Sequence, residues 1–132
     1  MIMSKNKEKT QSSFMEVFRF VSSFGYAIEG LVHAFTEHAS FRFQVVVGCL
    51  AMISGLLFRI NRYEWMVLCV FVGLVLAAEL LNTAIETTLD YLAKDHHINV
   101  KVAKDVSAAG VFVLSISAVA AGLIIFIPHL LS

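Results

Sequence analysis

The sequence predicts an all-α integral membrane protein: an N-terminal amphipathic surface helix followed by three transmembrane helices. Two observations carry that prediction. Hydrophobic residues make up 58% of the 132 positions and the mean hydropathy is +0.79, too apolar for a soluble domain of this length. The apolar residues also fall into three long runs, 43–60, 65–85 and 106–131, each about long enough to cross a bilayer.

Residues 1–13 are polar and lysine-bearing and read as a flexible tail. Over 14–36 apolar residues recur at 14, 17, 18, 21, 24, 25 and 28, a helical rhythm, with Glu16, Arg19, Ser23, Glu29 and His33 on other faces. Such a helix suits the plane of a bilayer surface, although packing against partner helices produces the same stripe. Within the first run the stretch Phe43–Phe58, bounded by Arg42 and Arg59, carries no formal charge. The second opens on Trp65, an interfacial type of residue, and is long enough to cross despite carrying Glu79 and Asn82. The third starts among small residues, Ser107 to Gly110, and ends near Pro128. The chain reads as one domain, 1–132, with no internal repeat.

Charge placement sets the expected orientation. Lys5, Lys7, Lys9, Arg19, Arg42, Lys94, Lys101 and Lys104 fall on one side of a three-span topology, and only Arg59 and Arg62 on the other. The positive-inside rule therefore puts the N-terminus and the loop 86–105 in the cytoplasm. The formal net charge is zero, so no bulk basic field argues for a nucleic-acid partner. Cys49 and Cys69 lie in apolar runs without metal-ligand spacing and read as free thiols.

On a helix, Glu79, Asn82, Glu86 and Asp90 project from one narrow face of the second span. Seven residues put Glu79 about 10 Å deeper in the bilayer than Glu86. A carboxylate at that depth costs about 2.5–3.5 kcal/mol on insertion scales, so it should face protein or water and have a task, such as that of a general base. The bland alternative is a Glu that only hydrogen-bonds a neighbouring helix. Glu86, at the membrane surface, can stay ionised and ligate a hard cation such as Mg²⁺. The following stretch brings Asp95, His96, His97, Lys104 and Asp105 to the same level, where a lysine can meet phosphates. No GxxxxGK[ST], GxGxxG or GxSxG motif is present, which removes the familiar soluble nucleotide and hydrolase folds.

The run Glu79-Leu-Leu-Asn-Thr-Ala-Ile-Glu86, with Asp90 and then Lys104-Asp105 opening the last span, resembles the signature of the small bacterial diacylglycerol kinase and undecaprenol kinase family. The resemblance extends over 14–131 through Phe41-Arg42, Glu64-Trp65 and the Gly122 to Pro128 segment. It implies a homotrimer in the bacterial plasma membrane that transfers the γ-phosphate of ATP to a lipid hydroxyl, with Mg²⁺ as cofactor. By the same resemblance Glu79 is the base and Glu86 a magnesium ligand. Arg19, Tyr26, Asn82, Asp90, Asp95, His96, His97, Lys104 and Asp105 serve the nucleotide, and Arg19, Phe35, Arg42 and Trp65 the lipid. The family usually carries a second acidic metal ligand where this chain has His38, so the implied ligand is His38 or the preceding Glu37.

The Gly122 to Pro128 and Glu64-Trp65 segments look like the Gram-positive branch, whose usual acceptor is undecaprenol; diacylglycerol is the alternative. A rival of another class is a small oligomeric proton or ion transporter, in which polar groups should line the whole depth of the bilayer.

Overall fold

A computed structural model describes residues 2–93 and 98–131, with side chains described from Ser22 onward together with Met15 and Arg19. The described residues form four α-helices: α1 (Ile2–Glu37), α2 (Ala39–Leu57), α3 (Arg62–Leu92) and α4 (Ile98–Leu131). The chain divides into two units, 1–36 and 37–132. The first is α1 nearly entire; the second holds the other three helices, each long and apolar enough to cross a membrane.

Within its own unit α1 begins at Ile2, so the helix includes the stretch read as a flexible tail. The sequence offers nothing to stop it there, since no Gly or Pro occurs before Gly25. Ser22 and Ser23 donate back to the Arg19 carbonyl at 2.9 and 2.8 Å, as hydroxyl residues do inside helices.

In the second unit α3 packs along α4 and against α2, and of the three spans it buries the largest share of its surface. Exposed apolar side chains such as Leu56, Leu74 and Ile124 cover the remaining faces, as expected where lipid or further protein is the solvent.

Local chemistry fixes the α2–α3 junction. The Ile60 N–H bonds to the Gly55 carbonyl at 3.2 Å and the Arg59 N–H to Leu56 at 3.3 Å, a Schellman ending with Arg59 at φ 51°. Asn61 then starts α3 with a capping box: its side chain accepts from the Tyr63 and Glu64 N–H groups, and Glu64 accepts from the Asn61 N–H at 2.7 Å. Glu64 also lies 3.7 Å from His129 Nε2, near the last turn of α4. Close by, Ile60, Leu68 and Ile125 form a buried apolar cluster, joined by Trp65 and by the tilted Phe58–Phe126 ring pair. Gly48 and Gly55 let α2 approach: a Cβ at Gly48 would stand 3.1 Å from Val72, and one at Gly55 would stand 3.0 Å from Ile60 and Trp65.

The helices overrun the apolar runs. α2 begins at Ala39, α3 continues to Leu92 and α4 starts at Ile98. The expected loop 86–105 is therefore mostly helical at both ends. Hydropathy marks where a helix meets lipid, and Glu86-Thr-Thr-Leu-Asp90 contains no residue that would end one.

Candidate active site on the third helix

Because α3 runs unbroken to Leu92, it carries Glu79, Asn82, Glu86 and Asp90 on one rigid face, as the spacing predicts. Burial is graded along that face. Glu79 is 3% exposed and Asn82 8%, Glu86 is half-buried, and the Asp90 side chain is 67% exposed. The stripe thus passes from the interior of the bundle to an open end within three turns.

The polar groups are partly connected. Asn82 Nδ2 donates to Glu86 Oε1 at 3.0 Å, which orients the carboxylate. The other Asn82 atom, Oδ1, is buried with no hydrogen-bond partner. Glu79 makes no hydrogen bond or ion pair among the described residues, which does not match a Glu that only ties two helices together. Asn82 Oδ1 is thus a buried acceptor without a donor, three residues from the largely buried Glu79, and it leaves hydrogen-bonding capacity that a ligand could meet.

From α4, Lys104 pairs with Asp90 across the helix interface. Asp105 turns instead to Lys101, one turn back on its own helix, at 3.0 Å. Lys104 is partly sheltered, with 31% of its side chain exposed, and so presents a fixed positive charge near the Glu86 level.

Thr83 was missed by the sequence reading. Four residues after Glu79 it lies on the same side of α3, is 7% exposed, and makes no side-chain hydrogen bond among the described residues. The signal was available in the i, i+4 spacing, but a threonine in a span satisfies itself so often on its own backbone that it attracts no notice. Thr87 and Thr88 do that here, at 2.8 and 2.7 Å.

The remaining assigned residues are dispersed. Glu37 ends α1, exposed, and His38 is the N-cap residue of α2, half-buried. Arg42 is half-buried in the first turn of α2. Trp65 packs on the Gly55 core, fourteen residues from Glu79 and so about 21 Å away along α3. Arg19, Tyr26 and Phe35 are exposed on α1. Asp95, His96 and His97 lie outside the described residues.

A magnesium site is compatible with this donor set. No cluster of three or more His, Cys, Asp or Glu side chains is preformed among the described residues. Mg²⁺ does not need one, since it commonly takes one or two carboxylates and completes its shell with waters and phosphate oxygens. Glu86, steadied by Asn82 and one turn from Asp90, supplies carboxylate oxygen at the open end of the face.

A three-span helical membrane protein with a buried carboxylate, a shallower carboxylate and a lysine gathered at one end of its central helix is a membrane-embedded enzyme in type. The sequence matches the prokaryotic diacylglycerol kinase family over residues 25–126, and the chain belongs to that family. It is therefore a lipid kinase, a phosphotransferase acting on an alcohol. It is 36% identical over 115 residues to the undecaprenol kinase of Bacillus subtilis (strain 168), covering 87% of this chain and 94% of that protein. The diacylglycerol kinase of Synechocystis sp. is 34% identical over 111 residues, 83% of this chain but 63% of that longer protein. The diacylglycerol kinase of Escherichia coli (strain K12) is 31% identical over 111 residues, 84% of this chain and 91% of its own.

Proposed function

We propose that the protein phosphorylates undecaprenol with ATP, giving undecaprenyl phosphate and ADP, at the cytoplasmic surface of a bacterial plasma membrane. The reading is carried by the graded face of α3, where a buried, unpartnered Glu79 stands below a half-exposed Glu86. A lipid hydroxyl approaches from the bilayer, and the charged phosphates stay at the wet end. Glu79 takes the hydroxyl proton, the acceptor oxygen bonds to the γ-phosphorus, and the bond to the β–γ bridging oxygen breaks to release ADP. Lys104 and Asn82 orient the phosphate end, and Glu86 would hold Mg²⁺, with His38 or Glu37 as a second ligand. Bound there, the ion neutralises charge on the transferring phosphate.

Asp90 positions Lys104, and Asp105, Asp95, His96 and His97 belong to the same nucleotide assignment. On α1 the proposal keeps Arg19 and Tyr26 for the nucleotide, and Arg19 and Phe35, with Arg42 on α2, for the lipid. Trp65 is kept as a lipid contact at the far end of α3. The assembly is the trimer that the family resemblance implies, with the N-terminus and the 86–105 stretch cytoplasmic.

Undecaprenol is preferred as acceptor because the Bacillus subtilis relative carries that name over nearly its whole length. Diacylglycerol is the second reading, favoured by the names of the Synechocystis and Escherichia coli relatives. Transport is disfavoured by what lies on α3 beyond Glu79: Val75, Val72 and Leu68 continue the stripe with no polar group. Labelled ATP offered with each purified lipid in bicelles decides the acceptor. Faster transfer to undecaprenol is expected, and a clear preference for diacylglycerol would reverse the choice.

A further inference from the structure

A groove of about 420 Å³ runs between α2, α3 and α4, within the range of small-molecule sites. Its position relative to Glu79 follows from helix register. α3 and α4 are consecutive antiparallel helices tied by Lys104 and Asp90. Counting equal steps back from that pair sets Ser115 level with Glu79, Val119 with Val75, Gly122 with Val72, and Phe126 with Leu68. All of these except Glu79 line the groove. On the other side, the close approaches of Gly48 to Val72 and of Gly55 to Trp65 fix the α2 register, and set Gln44 within one turn of the Glu79 level.

The groove therefore has a polarity. Its two polar lining side chains, Gln44 and Ser115, stand at the end nearest Glu79, and everything beyond is apolar or glycine. Its floor, Val75, Val72 and Leu68, is the direct continuation of the Glu79 stripe. From Glu79 to Leu68 the path is about 16 Å at 1.5 Å per residue. A polar mouth beside the acceptor site, an apolar slot leading away from it, and a course within the membrane span match one kind of occupant, an alcohol on a long hydrocarbon chain.

We propose that this groove binds the head-proximal part of the acceptor's hydrocarbon tail, with Gln44 and Ser115 beside the hydroxyl and Val72 and Gly122 gripping the chain at its middle. The assignment rests on the lipid-kinase reading of Glu79 and adds to it the part of the protein that measures the tail. The groove is too short for a whole undecaprenyl chain, so discrimination falls on the first isoprene units and the remainder stays in lipid.

Gly122 provides the test. A Cβ there meets nothing within 4 Å, so a side chain can start at this position without clash, and Gly122→Leu extends it from a residue that lines the slot. Gly73, equally open but off the groove, serves as control as Gly73→Leu. Transfer to isopentenol, farnesol and undecaprenol is compared in bicelles. The wild type should gain sharply in kcat/KM from isopentenol to farnesol and little from farnesol to undecaprenol. Gly122→Leu should lose farnesol and undecaprenol turnover by at least about tenfold, with isopentenol turnover and the KM for ATP unchanged. Gly73→Leu should behave as wild type.

An unchanged chain-length profile in Gly122→Leu overturns the proposal. So does disassembly of the oligomer by Gly122→Leu in native membranes, read by crosslinking, because the groove then seats a second copy of the chain. A photoreactive farnesyl analogue tests binding without turnover, and so separates this proposal from the kinase reading. Labelling of α3 and α4 peptides around Val72 and Val119 supports the groove even if no acceptor is phosphorylated, and labelling elsewhere contradicts it.

Discussion

Lys104 near the start of α4 pairs with Asp90 near the end of α3, and this contact marks the register of the two helices that carry the acidic face and its lysine. Asp90 is largely exposed, so the pair contributes at most about 1 kcal/mol to stability. Its value lies in holding a cation about one turn from Glu86. Lys104→Gln is expected to shift the melting temperature little and to lower kcat/KM for ATP by about a hundredfold or more. Thermal melts in detergent beside steady-state kinetics check both halves; a large loss of stability with ATP kinetics intact would make the pair structural.

Asn82 combines a useful donor with a buried, unpartnered acceptor. Leaving such a group unsatisfied costs about 1–3 kcal/mol. Asn82→Leu should therefore melt at or above the wild-type temperature while losing most phosphate transfer, a separation expected where a site holds strain for function.

Glu86 is predicted to set the magnesium requirement. In Glu86→Gln the concentration of Mg²⁺ giving half-maximal transfer should rise by about tenfold or more. A magnesium titration at saturating ATP reads this directly. An unchanged midpoint would move the ion to other ligands.

At the opposite end of α3, Arg59 holds a left-handed conformation at φ 51°, which costs a non-glycine residue about 1–2 kcal/mol. The side chain is exposed, so Arg59→Gly should stabilise the α2–α3 turn by about 1 kcal/mol without affecting turnover. Gly55→Val should do the reverse, costing about 1–3 kcal/mol, because its side chain would meet Ile60 and Trp65. Unfolding in a denaturing detergent series compares the two.

How much of this could be read from the sequence depended on which physical signal each feature leaves. The three spans were legible because lipid demands long apolar runs, and the Glu79 to Asp90 face because helical spacing alone determines it. The helix ends were not, since polar helix formers such as those in 86–92 and 98–105 extend a helix past the bilayer without altering hydropathy. The Lys104–Asp90 pair was legible only as two charges at one level, and its actual partners required coordinates. Likewise, that Asp105 pairs with Lys101 one turn back on α4 could not be read from the sequence. The groove left no trace in the sequence, because Gly122, Ser115 and Gln44 come together only through the register of three helices.

The central claim is that Glu79 is the base that activates a lipid hydroxyl. Glu79→Gln keeps the size and hydrogen-bonding shape of the side chain but cannot accept the proton. Reconstituted in bicelles with labelled ATP, Mg²⁺ and undecaprenol, the variant should assemble and bind ATP as the wild type does, with transfer reduced by at least about a hundredfold. Turnover at the wild-type rate would contradict the account and remove Glu79 from the chemistry.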